Sequence, residues 1–317
     1  MRGLWLEDRR LRVRDDLPVP EPPPGEARIR VTVAGVCHTD LELVRGYYPY
    51  AGILGHEFVG VVDHAAAAPE WEGRRVVGEI NATCGACPTC LAGRSSHCER
   101  RTVLGIVNRN GAFAGYLTLP IANLHAVPDT MPDDVAVFTE PVAAAFQILA
   151  QVAIDRPDRV VVVGDGKLGQ VIAQVLATTG CALTVVGRHP RKLAHLAARG
   201  IATQVDPPAA RSADIVVDCT GRRDGLQAAL AALRPRGTLV LKSTVAGDTA
   251  LSLSAIVVDE ITIVGSRCGP FEPALAALVS GAVVVSPLIE ARLPLADAVN
   301  GLARAGSPGT LKVLLVP

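Results

Sequence analysis

Four cysteines, Cys84, Cys87, Cys90 and Cys98, lie close together with the spacing C-x2-C-x2-C-x7-C. Thiolates spaced in this way can surround one tetrahedral Zn²⁺, and a closed shell of four sulfurs leaves no position for a reactant. The spacing therefore predicts a structural zinc site. Disulfides and unligated thiols are alternatives that a reducing compartment disfavours. An iron–sulfur cluster is a further alternative, which lacks the proline found after the last cysteine of some cluster motifs.

A second set of metal-binding side chains is distributed over three motifs. One thiolate, one imidazole and one carboxylate are enough to hold Zn²⁺ while a fourth position stays open for water or substrate. Such an ion lowers the pKa of an alcohol, whose alkoxide can then release a hydride. Each residue type alone is more often structural, so the interpretation depends on the three motifs together. They are Cys37-His38-Thr39-Asp40, Gly55-His56-Glu57 and Thr139-Glu140-Pro141.

A glycine-rich loop follows the apolar run at residues 160–163. Glycines in a G-x-G-x-x-G motif let the backbone approach a pyrophosphate, whose charge meets the N-terminus of the next helix. The motif is weak alone and strong between a strand and a helix, and here it predicts a nicotinamide dinucleotide site. The expected cofactor-binding residues of the loop are Gly164, Gly166, Lys167, Leu168 and Gly169.

The end of the following strand lacks the acid that usually binds the adenosine ribose of NAD. Gly187 and Arg188 stand there, with His189 and Arg191 after them. A carboxylate would repel the 2′-phosphate of NADP, whereas a guanidinium can bind it through two hydrogen bonds. These four residues therefore favour NADP over NAD. Alternatively, the basic side chains only solvate the start of the next helix.

Two kinds of secondary structure must position these groups. Up to about residue 140, short apolar runs separated by Gly and Pro, such as the alternating residues 28–33, predict a mainly β region. After residue 141, strands alternate with helical stretches, which predicts βαβ units and a doubly wound parallel sheet. The strands expected there are 160–163, 183–186, 215–217, 238–241 and 261–264, and an apolar strand at 311–316 ends the chain.

The composition excludes several classes of partner. The 317 residues include 31 basic and 31 acidic side chains, so no net charge attracts nucleic acid or an anionic membrane. No apolar stretch is long enough for a signal peptide or for a membrane span of about 20 residues. We therefore expect a cytoplasmic protein that binds small molecules, with no nucleic acid and no membrane partner.

Taken in order, these motifs resemble those of the zinc-dependent medium-chain dehydrogenase family, which includes alcohol, sorbitol and threonine dehydrogenases. The resemblance covers nearly the whole chain. It implies a GroES-like, mainly β catalytic domain at 1–141 and 266–317, and a Rossmann domain at 142–265. It also implies two zinc ions per chain, a homodimer or homotetramer, and Cys37, His56 and Glu140 as ligands of the catalytic zinc. Because the third ligand position holds an acid, the chain resembles the polyol and sugar dehydrogenase branch of the family.

The resemblance also implies roles for four neighbouring residues. Glu57 looks like a carboxylate that can approach the metal when water leaves. Asp40 would orient His56 through the second nitrogen of the imidazole. Thr39 would begin a proton relay, and His38 would lie near the cofactor pyrophosphate. As an alternative, His38 is simply a polar loop residue.

Together, the motifs predict hydride transfer between an alcohol or polyol and its carbonyl partner. One alternative is a zinc-free NADP-dependent reductase of the same superfamily, against which Cys37, His56 and Glu140 argue jointly. The other is a non-catalytic nucleotide or redox sensor. Thr39 and Asp40 argue against a sensor, which has no need of a proton relay.

Overall fold

The computed structural model describes residues 1–244 and 250–317, which form two compact units. The first unit comprises Met1–Glu140 and Ile289–Pro317, and the second comprises Pro141–Leu288. The chain thus returns to the first unit at Ile289, later than the boundary at 266 that the resemblance implied. Residues after 266 bond within the second unit: the Gln174 amide, for example, pairs with the backbone of Val284.

Eighteen strands occur in the described part of the chain. In order, they are β1 Gly3–Glu7, β2 Arg10–Arg14, β3 Glu26–Gly35, β4 Gly52–Ile53, β5 Glu57–His64, β6 Arg75–Gly78, β7 Asn81–Ala82, β8 Thr102–Val103, β9 Tyr116–Pro120, β10 Leu124–Ala126, β11 Arg159–Val163, β12 Ala182–Val186, β13 Ala202–Gln204, β14 Ala213–Asp218, β15 Leu233–Leu241, β16 Thr262–Gly265, β17 Ile289–Pro294 and β18 Lys312–Val316.

Ten α-helices occur in the same described ranges. They are α1 His38–Arg45, α2 Pro88–Leu91, α3 Asp133–Ala136, α4 Thr139–Gln151, α5 Lys167–Ala177, α6 Pro190–Ala197, α7 Arg223–Ala232, α8 Leu253–Val258, α9 Phe271–Val279 and α10 Ala298–Ala305. The longest, α4, has 13 residues, or about 20 Å at 1.5 Å per residue. Across residues 1–244 and 250–317, no helix combines the length and apolar character needed to cross a bilayer.

The main sheet of the first unit has seven strands in the order β10-β6-β5-β3-β18-β17, with β9 also paired to β3. Ala27, Ile29, Val31 and Val33 of β3 are buried and alternate with polar residues, as the sequence pattern predicted. At the end of β3, Gly35 pairs with Glu57 of β5 and with Leu314 of β18. This register brings three distant parts of the chain together where β3 ends.

The second unit is built on a six-stranded parallel sheet in the order β13-β12-β11-β14-β15-β16. The valines of β11 are all buried, which is typical of a parallel strand covered on both faces. The strand order reverses direction at β11, and ligands of such sheets bind at the carboxyl ends of the strands around that point. The predicted α/β class, with a β-rich region and a doubly wound parallel sheet, is confirmed. The short edge strand β13 and the hairpin of β1 and β2 were not predicted.

Candidate zinc and dinucleotide sites

Cys37 is positioned by the first turn of α1. It is the N-cap residue of that helix, with extended backbone angles, and the Oδ2 atom of Asp40 accepts a hydrogen bond from the Cys37 N–H at 2.9 Å. Asp40 is completely buried. A carboxylate in the first helical turn is stabilised by the N–H groups and by the helix dipole. The local sequence Cys-His-Thr-Asp therefore fixes the direction of the thiol.

Three potential ligands meet at the end of β3. The ligand atoms of Cys37, His56 and Glu57 all lie within 4.8 Å of one another, and His56 and Glu57 are 3% and 1% exposed. The Oε1 atom of Glu57 is buried and accepts no hydrogen bond. A buried acceptor without a partner is costly, and a cation at this position would satisfy it. The thiolate, imidazole and carboxylate of this cluster are a donor set that fits Zn²⁺.

Asp40 also lies next to His56 of this cluster. Its Oδ1 atom lies 3.2 Å from Nδ1 of His56, within ion-pair distance but not aligned as a hydrogen bond. Burial by itself would lower the pKa of His56, but the charges of Asp40 and of the Cys37 thiolate raise it well above its usual value. Because an imidazolium cannot bind a metal, Zn²⁺ must displace a proton here. The contact favours a proton on Nδ1, which leaves Nε2 to act as a ligand.

Lys312 is a residue of this site that the sequence patterns missed. Its Nζ donates a hydrogen bond to Oε2 of Glu57, and both side chains are 1% exposed. Nζ also lies 5.2 Å from the ring centroid of Phe138. In the sequence, Lys312 stands 255 residues after Glu57, inside an apolar run at the end of the chain. No local pattern connects the two residues; only the pairing of β3 with both β5 and β18 does.

The other residues predicted for this site have different surroundings. Oγ1 of Thr39 lies 3.8 Å from Sγ of Cys37. The side chain of His38 is 54% exposed, and its Nε2 lies 3.2 Å from a carboxylate oxygen of Glu42. Glu140 is in the first turn of α4 and does not belong to the group of ligand atoms around Cys37. The structure thus brings Glu57 to Cys37 and His56.

The four-cysteine cluster lies in a loop that β7 and β8 close by antiparallel pairing. The four sulfur atoms lie within 4.8 Å of one another. A tetrahedral ion with Zn–S bonds of about 2.3 Å would hold its sulfurs about 3.8 Å apart. The observed spacings match that value and are far longer than a disulfide bond of about 2.05 Å. They are 4.0 Å for Cys84–Cys90, 3.5 Å for Cys87–Cys90, 3.8 Å for Cys87–Cys98 and 3.5 Å for Cys84–Cys98.

Backbone amides donate hydrogen bonds to this cluster and favour a thiolate in it. Hydrogen bonds from the N–H groups of Ala86 and Cys87, with a further one from Arg100, lower the pKa of Cys84 to about 6. Burial and the neighbouring sulfurs instead raise the pKa of Cys90 to about 12. Such N–H···S bonds are typical of the surroundings of a metal-bound thiolate. A bound metal ion would deprotonate all four thiols.

The glycine-rich loop connects β11 to α5 in the second unit. Gly164 has φ = 127°, and a Cβ atom on Gly169 would lie 2.1 Å from the Gly164 carbonyl oxygen, so both positions require glycine. A Cβ on Gly166 would meet nothing within 4 Å, which leaves room for a ligand at the helix N-cap. Lys167, Leu168 and Gly169 form the first turn of α5. These features fit a pyrophosphate at the helix N-terminus.

A cavity of about 400 Å³ lies at the carboxyl ends of β11, β12 and β14. Gly164, Gly166, Gly187 and Arg188, all predicted to bind the cofactor, line it. His189 is the N-cap of α6, and Arg191 lies in its first turn. The cavity has the position and size expected for the adenosine half of a dinucleotide.

Asp165, the residue between the two loop glycines, packs against the end of β12. Its Oδ2 atom accepts hydrogen bonds from the backbone N–H groups of Arg188 and His189, each at 2.7 Å. A Cβ on Gly187 would lie 2.4 Å from the Cβ of Asp165. Gly187 is therefore required because the Asp165 side chain fills the space beside it. This coupling was not predicted from the sequence.

Comparisons with known proteins match both units. Residues 23–129 match the family model described as the alcohol dehydrogenase GroES-like domain, and residues 168–280 match the model described as zinc-binding dehydrogenase. The chain is 30% identical to D-altritol 5-dehydrogenase of Agrobacterium fabrum, over 99% of this chain and 98% of that protein. It is 29% identical to sorbitol dehydrogenase of Halalkalibacterium halodurans, over 94% of each chain.

A solved structure has the same fold over its whole length. It is a protein assigned as a zinc-binding dehydrogenase, from Sinorhizobium meliloti 1021 and bound to NADP. The TM-score is 0.90 at 27% identity, with 100% of this chain and 99% of that chain covered. The GroES-like and Rossmann folds that the resemblance implied are therefore confirmed for this chain.

Proposed function

Since the chain belongs to the zinc-dependent medium-chain dehydrogenase family, we propose that it transfers a hydride between a polyol, or a related alcohol, and NADP. Oxidoreductase activity of the zinc-binding dehydrogenase type follows from the family. The substrate class, the cofactor preference and the zinc ligands are our proposals. The observation that carries the proposed zinc chemistry is that Cys37 and His56 meet beside a buried carboxylate, in a chain that also contains the dinucleotide loop.

Cys37 and His56 would hold the catalytic zinc together with a carboxylate. The chemistry that Zn²⁺ supplies in such a site is Lewis acidity toward an alcohol oxygen. Asp40 sets the tautomer of His56 and fixes the backbone of Cys37. Thr39, whose hydroxyl lies beside the Cys37 sulfur, is the proposed first acceptor of the alcohol proton. His38 is exposed at the same helix start, and we propose it as a cofactor-binding residue.

We propose Glu140 as the third ligand and Glu57 as a carboxylate that can approach the metal. Lys312 supports this division, because it engages Oε2 of Glu57 and leaves only Oε1 available to a cation. A buried carboxylate paired with a buried ammonium is a weaker metal ligand than one without that partner. Zinc content of Glu140→Ala and Glu57→Gln would distinguish the two assignments.

A second zinc ion would be held by Cys84, Cys87, Cys90 and Cys98, which gives two per chain. The sulfur spacings and the N–H···S bonds support this proposal. Because the four sulfurs complete a tetrahedral shell, this ion would stabilise the loop and take no part in hydride transfer.

The preference for NADP is supported by the end of β12. Gly187 provides no acid there, and the side chain of Arg188, at the edge of the cavity, is 61% exposed. The NADP bound to the structurally similar Sinorhizobium protein supports the same cofactor. Polyol substrates are supported by the relatives that act on D-altritol and sorbitol.

An exposed apolar surface supports a homodimer or homotetramer. Leu253, Val257 and Val258 of α8 are 72%, 73% and 78% exposed. Strand β16, which ends the six-stranded sheet, adds Ile263, exposed at 37%. An apolar patch beside an edge strand is typical of a protein–protein contact. The quartet sulfurs, 4.0 Å apart for Cys84–Cys90 and 3.5 Å for Cys87–Cys90, are not joined by disulfides, which supports a reducing, cytoplasmic location.

The decisive experiment measures zinc per chain and polyol oxidation with NADP, in the wild type and in Cys37→Ser. We expect two zinc ions to fall to one and kcat/KM to fall about a thousandfold, because Lewis acidity contributes several kcal/mol to such reactions. Cys181→Ser, which removes a thiol elsewhere in the chain, is the control and should change neither value. One zinc in both the wild type and Cys37→Ser would overturn the proposal and favour a zinc-free reductase.

A further inference from the structure

The dinucleotide cavity contains a chain of three charged side chains at its edge. Asp224 lies in the first turn of α7 and accepts hydrogen bonds from Arg222, at 3.0 Å to Oδ1 and 3.3 Å to Oδ2. Its Oδ2 atom also lies 3.7 Å from a guanidinium nitrogen of Arg188. All three residues line the cavity. A single carboxylate thus lies between two guanidinium groups from the segments that follow β12 and β14.

These ion pairs are exposed and therefore easy to rearrange. The side chains of Arg188, Arg222 and Asp224 are 61%, 55% and 60% exposed. Ion pairs in water contribute little to folding, because solvent screens them and ordering the side chains costs entropy. Hydrogen bonding to Arg222 lowers the pKa of Asp224, so the group is a carboxylate at neutral pH. Stability does not account for the arrangement, and a stronger anion could replace the carboxylate at small cost.

Hydrogen bonds hold the backbone at both arginines. Asp165 binds the N–H groups of Arg188 and His189, which holds the start of the Arg188 side chain at the cavity wall. Arg222 is held through its own N–H, which donates to Oγ1 of Thr220 at 3.2 Å. Exposed guanidinium groups on hydrogen-bonded backbone can exchange one anionic partner for another without a change of fold.

We propose that Asp224 sets the cofactor selectivity of this chain, by occupying with its own carboxylate the place between Arg188 and Arg222 that the 2′-phosphate of NADP would take. This inference rests on the proposed function, because it concerns the cofactor of that reaction. Arg222 is then a second phosphate-binding residue beside Arg188, and Asp224 competes with the 2′-phosphate for both arginines. NAD, which has no 2′-phosphate, leaves the Asp224–Arg222 pair intact.

The charges give the direction of each effect. A phosphate dianion forms stronger paired hydrogen bonds with guanidinium than a carboxylate does, which favours NADP. Asp224 opposes this preference in two ways: its carboxylate pairs with both guanidinium groups, and its charge repels the incoming phosphate. The wild type is therefore expected to bind both cofactors with only a modest preference for NADP. Without the competitor, the same two arginines would discriminate strongly.

The test measures binding to the zinc-loaded full-length protein, without a substrate. NADPH and NADH are titrated by fluorescence, and adenosine 2′,5′-bisphosphate and AMP by calorimetry. For Asp224→Asn we expect the two 2′-phosphorylated ligands to bind about tenfold tighter, from the release of an exposed ion pair and the loss of a like charge. NADH and AMP should bind unchanged. The gain should shrink as salt concentration rises.

Two further variants complete the experiment. Arg222→Gln should weaken binding of the 2′-phosphorylated ligands about tenfold and leave NADH unchanged. Glu260→Gln is the matched control: it removes one exposed carboxylate, 3.5 Å from Arg236, outside the residues that line the cavity. It should not alter the ratio of NADPH to NADH affinity.

The outcomes separate this inference from the proposed function. If the wild type binds both dinucleotides and Asp224→Asn leaves the ratio of affinities unchanged, the role of Asp224 is overturned and the proposed function stands. An equal change in the affinities for NADPH and NADH would overturn it as well. If the wild type binds neither dinucleotide, the proposed function fails and this inference fails with it.

Discussion

The two cysteine-containing clusters of the first unit are assembled in opposite ways. The quartet of Cys84, Cys87, Cys90 and Cys98 comes from one loop and is partly accessible to solvent. The second cluster combines Cys37 before α1 with His56 and Glu57 at β5. Lys312 of β18 donates a hydrogen bond to Glu57 of this cluster. One loop determines the first cluster, whereas the register of three strands determines the second. The clusters should therefore respond differently to substitution and to pH.

The largest expected effect is at Lys312. Lys312→Met would leave the carboxylate of Glu57 buried without its ammonium partner, at a cost of about 3 kcal/mol in the free energy of unfolding. Urea unfolding measures this change. The double variant Lys312→Met/Glu57→Gln should recover most of the loss, because no buried charge is then unpaired. A single variant as stable as the wild type would show that the pair does not support the site.

A smaller effect is expected at the quartet. Cys90→Ser would remove one zinc ligand and destabilise the loop between β7 and β8, which we expect to lower Tm by about 5 °C. At 20 °C, kcat/KM should change less than about twofold, because a closed tetrahedral site has no position for substrate. Calorimetry and steady-state kinetics check the two parts. A large loss of activity at unchanged Tm would contradict the division between structural and catalytic clusters.

The smallest effect is on the pH dependence of stability in zinc-depleted protein. The pKa of His56 is raised, so its contribution is complete below the unfolded value of about 6.5 and is lost as pH rises through the folded pKa. The pKa of Cys84 is lowered to about 6, so its contribution is present above the unfolded value and is lost as pH falls through 6. His56 and Cys84 should therefore give slopes of opposite sign.

Urea unfolding between pH 5 and pH 9, after removal of zinc with a chelator, checks this expectation. His56→Gln should remove the loss of stability that begins as pH rises above about 6.5, and Cys84→Ser should remove the loss that develops as pH falls from about 8.5 to about 6. A wild-type profile that neither variant alters would show that these groups titrate alike in the folded and unfolded chains.

The sequence by itself determined the features whose parts lie within one turn or one loop. The spacing of the quartet, the glycines at 164, 166 and 169, and the Cys-His-Thr-Asp start of α1 act through the backbone that joins their residues. The alternation in β3 and the buried valines of β11 predicted the two kinds of sheet, because burial on one face or on both leaves a visible pattern. The class of fold and the family resemblance follow from these local features.

Only the tertiary structure decided which distant side chains meet. Lys312 reaches Glu57 through the pairing of β3 with β5 and with β18, and Asp165 fills the space at Gly187 because β11 and β12 are neighbours. Arg222 and Asp224 join Arg188 at the cavity edge for the same reason, since β14 adjoins β11. Sheet order and register place these groups, and the buried apolar surface of the whole domain, rather than any short motif, determines order and register.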